Sequence, residues 1–474
     1  MALFLTLLAL LLLATGLYHR YKPLPPGVGE TWPWRPAQQV RFLADTHYQT
    51  PQGQPHTERQ LMPALLALIH EARGEILLDN FLFNPDQADP AQHQPLANTL
   101  TDALIAKRQQ QPPVTITLIT DPINTLYSAH QPRHLARLQQ AGVQLHITEL
   151  RALRDGNPCW SAPWRLTASA FTPLTTTSPG GGWLPSPLGP HPVTLRALLA
   201  LPNFKANHRK TLVVDGQQGL VCSMNIHDAS SCHSNVGLAF RGPVAQDLAR
   251  SEAAVLAFTR RGLRRKPRPS SLPHGQPPVT SLPRLRLLTE GAITEALLKI
   301  IHRARQGDQL RLALFYLSHR PLIQVLKGAH QRGVKIQLLL DPNRDAFGYQ
   351  KNGIPNRPVA GELHRAGIHV RWYATRGEQF HSKLLLLDGH SHSDLLLGSA
   401  NFTRRNLDNL NLESALQWQA SPEETAITDA RHWFHRLWHN QGADFTLDYP
   451  AYKDERRLRY WQYRFMEASG FSTF

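Results

Sequence analysis

Residues 208–215 read HRKTLVVD and residues 381–388 read HSKLLLLD, so the chain contains the pattern H-x-K-x4-D twice. In each stretch a mostly apolar run follows the basic start, which is typical of a buried strand. Residues two apart on a strand share a face, so each His and its Lys are expected to point into one cleft. An imidazole can attack phosphorus or deliver a proton near neutral pH, and an ammonium group can neutralise phosphate oxygens. The two stretches therefore predict chemistry on a phosphate group.

A serine and an asparagine follow each stretch at matching positions, in Cys222-Ser223-Met224-Asn225 and in Gly398-Ser399-Ala400-Asn401. Their hydroxyl and amide groups can bind the same phosphate oxygens as the lysines. A single histidine in an apolar context is usually structural, and one H-x-K-x4-D pattern is expected by accident on the order of a few hundredths of a time in this length. Two copies, each followed by Ser-x-Asn, argue against coincidence.

The sequence around the two stretches is duplicated as well. Each copy has an amphipathic helical segment, a strand-like run, a second strand that stops at Asp-Pro, and an Ala-Gly turn into a further strand. The matching segments are, in order, 65–73 and 297–305, 76–83 and 310–317, 114–122 and 334–342, and 141–143 and 366–368. Strands that alternate with helices indicate the α/β class. We therefore predict two α/β lobes related by internal duplication, each with a mixed sheet flanked by helices.

The length of 474 residues exceeds one ordinary domain, and a hydrophobic content of 42% is enough for two cores. The predicted divisions are a membrane anchor or signal segment at 1–23, repeat 1 at 24–262, a proline-rich basic linker at 263–284, and repeat 2 at 285–474. Repeat 1 also carries an insertion of about 52 residues, at about 151–202. Its prolines, its tryptophans and the run Gly180-Gly181-Gly182 predict a long ordered loop.

The chain begins with the uncharged apolar run MALFLTLLALLLLATGLY at residues 1–18. This length is at the short end of the roughly 17 to 25 residues that cross a bilayer as a helix. No Lys or Arg precedes the run, which favours an uncleaved anchor over a signal peptide. Arg20 and Lys22 follow it, and the positive-inside tendency then places the rest of the chain on the cytoplasmic side.

The formal net charge of +16 favours a polyanionic partner, which means nucleic acid, an anionic membrane surface or a phosphate-bearing substrate. Charge alone does not choose among these three. Cys159, Cys222 and Cys232 have neither paired metal-ligand spacing nor the density of a disulfide scaffold. We therefore predict buried or free thiols at these positions.

The duplicated H-x-K-x4-D pattern with its trailing Ser-x-Asn resembles the signature of the phospholipase D superfamily, over nearly all of the chain after the apolar run. The resemblance implies two lobes about a pseudo-two-fold axis, one active site that receives both motifs, and no metal or other cofactor. It also implies that His208 attacks phosphorus, that His381 protonates the leaving oxygen, and that a covalent phosphohistidine passes to water or to an alcohol. The candidate catalytic residues are then His208, Lys210, Asp215, His381, Lys383 and Asp388. The candidate phosphate-binding residues are Ser223, Asn225, Ser399 and Asn401.

Members of this superfamily commonly have a carboxylate about 30 residues after the catalytic histidine, where it orients the imidazole. Glu413 supplies this group in repeat 2, so it is expected to orient His381. The corresponding stretch of repeat 1, Asn235-Val236-Gly237, has no carboxylate, which leaves open how His208 is oriented and which histidine attacks first. The motif aspartates Asp215 and Asp388 are expected to orient or pair with neighbours rather than to donate protons.

Two further stretches, 203–208 and 351–356, resemble bacterial cardiolipin synthase-like members of the superfamily. That resemblance implies a phospholipid substrate, a membrane partner and a place at the bacterial inner membrane, and an apolar anchor agrees with it. A phosphatidyl group would then pass to an alcohol such as phosphatidylglycerol, or to water to give phosphatidic acid. No nucleic acid partner is expected on this interpretation.

Two alternatives use the same residues. The superfamily includes nucleases that cut DNA or RNA, and the positive charge fits these equally well. Small nucleases of this type carry one motif and dimerise, whereas this chain has both motifs and an apolar N-terminus. A binding protein without activity is the other alternative, and the intact His and Lys of both motifs argue against it.

Overall fold

The computed structural model describes residues 1–167, 181–261, 279–346, 349–472 and 474. The predicted insertion and the predicted linker therefore lie partly outside the described residues, and Gly180 is among the residues left out. Within the described part, the chain forms two lobes, each built on an eight-stranded sheet.

The first lobe contains strands β1 to β10. Their bounds are β1 Gln38–Gln49, β2 Pro55–Glu58, β3 Glu75–Asn80, β4 Phe83–Asn84, β5 Thr115–Thr120, β6 Gln144–Ile147, β7 Lys210–Val214, β8 Gln218–Cys222, β9 Ile226–His227 and β10 Asn235–Arg241. The sheet order is β2-β1-β10-β8-β7-β3-β5-β6. The helices of this half are α1 Ala2–Tyr21, α2 Leu61–Glu71, α3 Leu96–Gln110, α4 Arg133–Gln140, α5 Pro158–Leu166, α6 Leu195–Ala200 and α7 Val244–Arg261.

The second lobe contains strands β11 to β20. Their bounds are β11 Arg284–Thr289, β12 Gln309–Leu314, β13 Lys335–Leu340, β14 Asp345–Ala346, β15 Tyr349–Gln350, β16 His369–Tyr373, β17 Lys383–Asp388, β18 Ser393–Gly398, β19 Ser414–Ala420 and β20 Thr446–Asp448. The sheet order is β11-β19-β18-β17-β12-β13-β16-β20. The helices are α8 Gly291–Arg303, α9 Arg320–Gln331, α10 Asn356–Arg365, α11 Arg404–Leu407, α12 Thr425–Trp438 and α13 Arg457–Ser469.

The two sheets repeat one another strand by strand. The order β1-β10-β8-β7-β3-β5-β6 in the first lobe matches β11-β19-β18-β17-β12-β13-β16 in the second. In each lobe the strand that ends at Asp-Pro, β5 or β13, pairs in parallel with β3 or β12. The motif strand, β7 or β17, pairs antiparallel with both of its neighbours. The predicted α/β class, with mixed sheets in two duplicated lobes and an apolar N-terminal helix, is therefore confirmed.

Successive side chains along each motif strand point to opposite faces of the sheet and so enter two different cores. Leu384 and Leu386 of β17 face a core shared by both lobes, whereas Leu385 and Leu387 face the second lobe's outer helices. In β7, Val213 takes part in the same shared core. The two sheets therefore pack face to face, with helices on their outer sides. Both faces of each motif strand are buried as a result. This packing brings the starts of β7 and β17 to the junction between the lobes.

The described part of the insertion is a small helical unit and not the long loop that its composition predicted. Helices α5 and α6 pack around Trp164 and Ala200, with Tyr127 of the first lobe beside them. Helix α1 docks on α5, where a Cβ added at Gly16 would lie 3.5 Å from the Pro158 side chain. Apolar side chains with no space in either main core thus form a satellite cluster on the first lobe.

Among the described residues, α1 is the helix long and apolar enough to cross a membrane. The most apolar 18 residues of this helix have a mean hydropathy of 2.0, and 6% of them are buried in the protein. A helix that is apolar on all sides and exposed is out of place in water. Its length and composition suggest that the protein associates with a membrane.

Candidate active site

Both motif histidines lie where one lobe meets the other. The backbone N–H of His208 donates to the carbonyl oxygen of Leu412 at 2.9 Å, and the N–H of Ser234 donates to that of Gln379 at 3.0 Å. In each lobe, a backbone segment near the end of the sheet thus hydrogen-bonds to the segment that contains or immediately precedes the histidine of the other lobe. The structure brings His208 and His381 to one junction by these contacts.

Two buried aspartates hold the backbone that precedes each histidine. Asp121 accepts the N–H of Asn207 at 2.7 Å, and Asp341 accepts the N–H of Phe380 at 2.7 Å. Burial raises the pKa of both carboxyl groups to about 7. The repeated Asp-Pro pair was visible in the sequence as a strand end, but its role in positioning the histidine was not predicted.

Glu413 contacts the histidine of the opposite repeat. His208 Nδ1 lies 3.0 Å from Glu413 Oε1, and Glu413 is fully buried. The Ser399 hydroxyl and the Asn406 amide also donate to this carboxylate. The expectation that Glu413 orients His381 is therefore wrong, because the two lobes exchange their orienting residues. A carboxylate that accepts Nδ1–H leaves the Nε2 lone pair of His208 available to the cleft.

His381 has an amide partner. Its Nδ1 lies 3.1 Å from Asn235 Oδ1, and the Ser223 hydroxyl donates to the same oxygen at 3.0 Å. The Asn235 amide nitrogen donates to the carbonyl oxygen of His233 at 3.0 Å, which turns the amide oxygen toward the imidazole. His381 is therefore oriented by a neutral acceptor, whereas His208 has a charged one.

Asn235, and not Gly237, is the counterpart of Glu413. Gly237 pairs with Cys222 across β10 and β8, just as Ala415 pairs with Gly398 across β19 and β18. Counting back two residues from each pair leads to Asn235 in one lobe and to Glu413 in the other. The alignment based on sequence spacing was two residues out of register, because the loop before β10 is shorter than the loop before β19.

The motif lysines are buried beside the histidines. Lys210 Nζ donates to the carbonyl oxygen of His208 at 2.7 Å, and Lys383 Nζ donates to that of His381 at 2.6 Å. Each ammonium also lies over an aromatic ring, 4.8 Å from the centre of Phe81 for Lys210. Burial lowers the pKa of Lys210 to about 8 and lowers that of Lys383 well below its usual value.

Four buried basic side chains, two histidines and two lysines, meet at the cleft, and burial lowers the pKa of each. Burial, opposed by Glu413 and reinforced by Lys210, lowers the pKa of His208 to about 4. Burial and then Lys383 lower the pKa of His381 well below 6.5. An anion bound among these groups would offset their repulsion and raise all of these pKa values. The electrostatics thus favour a phosphate-bearing ligand.

The four candidate phosphate-binding residues fall into two pairs. Ser223 and Ser399 do not present their hydroxyl groups to the cleft, because these groups donate to Asn235 and Glu413. Asn225 and Asn401 are buried, and within the described part of the chain their amide oxygens have no hydrogen-bond partner. Such an amide can turn its NH2 group toward a bound oxyanion, so the asparagines remain candidates, whereas the serines contact Asn235 and Glu413.

Asp215 and Asp388 lie outside the cleft, at the other ends of the motif strands. Asp215 accepts three backbone N–H groups, those of residues 73–75, at 2.7 to 2.9 Å. Asp388 pairs with Arg431 at 2.8 Å, and also with Arg311. Their place in the candidate catalytic set is therefore not supported, although the expectation that they pair with neighbours agrees with these contacts.

We expect the Asp388→Asn variant to lower the free energy of unfolding by about 2 kcal/mol, because it breaks a mostly buried network with two arginines. Urea unfolding and hydrolysis of bis(p-nitrophenyl) phosphate would be measured together. The turnover number should stay close to that of the wild type while the protein is folded. Lost turnover at unchanged stability would return Asp388 to the active site.

The fold and the paired motifs define a duplicated α/β protein with one site at the lobe junction. Residues 297–438 match a family model described as "Cardiolipin synthase, PLD-like domain". Both lobes match the crystal structure of phosphatidylserine synthase from Haemophilus influenzae Rd KW20, at 12% identity and a TM-score of 0.59, over 93% of this chain and 96% of that one. The second lobe is therefore similar to a phospholipase D-like domain, and the chain as a whole has the duplicated fold of that synthase.

Other matches are weaker. Polyphosphate kinase from Porphyromonas gingivalis matches at 14% identity and a TM-score of 0.47, over 90% of this chain and 53% of that one. The phospholipase D family member Nuc from Salmonella typhimurium matches at 20% identity and a TM-score of 0.27, over 35% of this chain and 97% of that one. A search of curated proteins found no match to the sequence.

Proposed function

We propose that this protein is a phosphodiesterase or phosphatidyltransferase that acts on glycerophospholipids through a phosphohistidine. The observation that carries the proposal is the pairing of His208 with Glu413 across the lobe junction, beside His381 and both buried lysines. This arrangement provides a nucleophile, a proton donor and cations within one water-poor cleft. The matched family model supports the choice of a phospholipid enzyme.

In the first step His208 Nε2 attacks phosphorus, a nitrogen–phosphorus bond forms, and the bond from phosphorus to the leaving oxygen breaks. His381 donates its proton to that oxygen, so the alcohol leaves neutral. In the second step His381 takes a proton from water or from an acceptor alcohol, whose oxygen attacks phosphorus and releases His208. Lys210 and Lys383 neutralise the non-bridging oxygens in both steps.

The different partners of the two histidines support this assignment of roles. A phosphorylated imidazole that still carries Nδ1–H is positively charged on the ring, and the Glu413 carboxylate 3.0 Å away stabilises that charge. The Asn235 amide carries no charge and offers less stabilisation to His381. A less stabilised imidazolium gives up its proton more readily, which suits a general acid.

We expect the Asn235→Asp variant to move the alkaline limb of the pH profile of kcat/KM upward by about 1 to 2 pH units. A carboxylate beside His381 favours the imidazolium and raises its pKa, so the proton donor persists to higher pH. The acid limb, which reports deprotonation of His208 beside Glu413, should stay in place. An alkaline limb that does not move, in a folded variant, would contradict the role of His381 as the acid.

The membrane setting is part of the proposal. Helix α1 would anchor the protein in the bacterial inner membrane, with residues 24–262 and 285–474 as the two catalytic repeats on the cytoplasmic side. Arg20 and Lys22, which follow the apolar run, support that orientation. An anchor places the cleft near a surface where phosphatidyl groups are concentrated.

Product analysis tests the proposal most directly. The full chain would be reconstituted with phosphatidylglycerol and phosphatidylethanolamine, and lipid products identified by mass spectrometry, with the His208→Asn variant as control. Cardiolipin or phosphatidic acid that appears with the wild type alone supports a lipid substrate. Nicking of plasmid DNA in a parallel reaction, with unchanged lipids, would favour the nuclease alternative instead.

A further inference from the structure

Helix α13 is apolar on the side that faces solvent. Leu458, Trp461 and Phe465 are 82%, 64% and 68% exposed. Their spacing of three and then four residues places them on one side of the helix, and we refer to them as the α13 outer stripe. Tyr463 on the opposite side is fully buried in the core of the second lobe. The helix is therefore held by one face, and its other face is exposed among the described residues.

The outer stripe is unusual for a surface in contact with water. Isolated exposed apolar residues are common, but three large ones in a row on one helix face form a contiguous patch. Arginines stand beside the stripe, since Arg457 precedes Leu458 and Arg464 precedes Phe465. An apolar face with arginines at its border is typical of helices that lie in the interface of an anionic bilayer, because the long arginine side chains reach the headgroups.

The C-terminal end of α13 lies close to the end of the apolar helix α1. The backbone at Gly470 packs directly against the carbonyl group of Gly156, with no room for a side chain at position 470. The neighbouring residue, Asp155, donates its N–H to the carbonyl oxygen of His19 in the last turn of α1 at 3.0 Å. Arg20 donates to the carbonyl oxygen of Asp155 at 3.2 Å. If α1 enters a bilayer, the C-terminal end of α13 therefore lies close to the bilayer surface.

We infer that the α13 outer stripe is a second membrane contact, which lies in the interface of an anionic phospholipid bilayer beside α1. A single membrane helix, even one packed on α5, can still tilt and rotate in the bilayer together with the lobes, whereas a second contact fixes their orientation. The segment after α13 contacts the chain that leads to the first motif, where Phe471 packs edge-on against Phe204 at 5.9 Å, four residues before His208. The second contact therefore sets the cleft at a fixed height above the bilayer.

The inference requires that α1 enters a membrane, but it does not require that the protein is an enzyme. It is tested with the full chain in vesicles of phosphatidylglycerol and phosphatidylethanolamine, without any measure of turnover. The exposed and half-buried native thiols are first removed by Cys159→Ser and Cys232→Ser. An environment-sensitive fluorophore is then attached at Leu458→Cys or at Phe465→Cys. The matched control is Lys299→Cys, an exposed position on α8 that belongs to no apolar stripe.

Lipids with bromine on the acyl chains should quench the probes at 458 and 465 by about half or more, since interfacial helices sink roughly 5–10 Å below the headgroups. The probe at 299 should be unaffected. Vesicles of zwitterionic phosphatidylcholine should give weaker quenching, and equal quenching in both would overturn the anionic preference. Probes at 458 and 465 that behave like the probe at 299 overturn the inference. So do probes that shift to the blue without lipid quenching, because a protein partner would then cover the stripe.

Discussion

The His208→Asn variant should lose turnover by a factor on the order of 10⁴ or more and should form no phosphorylated enzyme. Asparagine keeps a polar side chain beside Glu413, but its amide nitrogen lone pair is delocalised into the carbonyl and cannot attack phosphorus. The loss therefore concerns the first chemical step and not binding or folding. Rapid acid quench with a phosphatidyl substrate labelled at phosphorus, followed by protein precipitation, measures the covalent adduct directly.

The His381→Asn variant separates the two roles. Its turnover on a phospholipid should fall by about 10²- to 10⁴-fold, the usual contribution of a general acid and base. With phosphatidyl-p-nitrophenol, whose leaving group needs no proton, a burst of about one p-nitrophenol per enzyme should appear before turnover stops. If the burst instead occurs in His208→Asn and is missing in His381→Asn, the two roles are the reverse of our proposal.

The sequence predicted the parts of this site that depend on local pattern. A strand that begins with His-x-Lys and continues with four mostly apolar residues can be recognised without knowledge of its neighbours. The order of such strands in two copies then indicated the duplicated α/β fold. The same local signals found both lysines and both asparagines, which are buried at the lobe junction.

The contacts between lobes could not be predicted in the same way. An internal alignment compares each repeat with the other, but it carries no information on which repeat supplies a partner to which histidine. It therefore assigned Glu413 to His381, whereas packing of the two sheets places it against His208. It also missed Asn235, because a loop shorter by two residues moved the alignment onto Gly237, and glycine has no side chain to suggest a role.

Among the described residues, only one of the two motif histidines has a carboxylate partner at the lobe junction. Glu413 receives hydrogen bonds from Ser399, Asn406 and His208, so its charge is held in one place. On the other side, Asn235 supplies the same geometry without the charge. The two half-sites of the duplicated fold are similar, but one has a carboxylate where the other has an amide, and we expect this difference to separate their roles.

The Glu413→Gln variant tests that asymmetry, and we expect it to lower kcat by about 10³- to 10⁴-fold, as when a carboxylate that orients a catalytic imidazole becomes an amide. Glutamine can present its NH2 group to His208 Nδ1, which selects the wrong tautomer and removes the charge that stabilises the phosphorylated ring. KM should change little, because Glu413 is fully buried behind His208 and does not contact substrate. Steady-state kinetics and acid-quench trapping of the adduct measure both effects.

The matched control is Asn235→Ala, which removes the equivalent contact to His381 without removing a charge. It should lower kcat by about 10- to 100-fold, since leaving the buried Nδ1–H of His381 without an acceptor costs roughly 1 to 3 kcal/mol. Glu413→Asp should recover part of the activity, because it retains the charge at a slightly greater distance from His208. A merely structural role for Glu413 would instead make Glu413→Gln and Glu413→Asp equally defective and would leave the lifetime of the adduct unchanged. Should Asn235→Ala prove the more damaging variant, His381 rather than His208 would be the residue that carries the phosphoryl group.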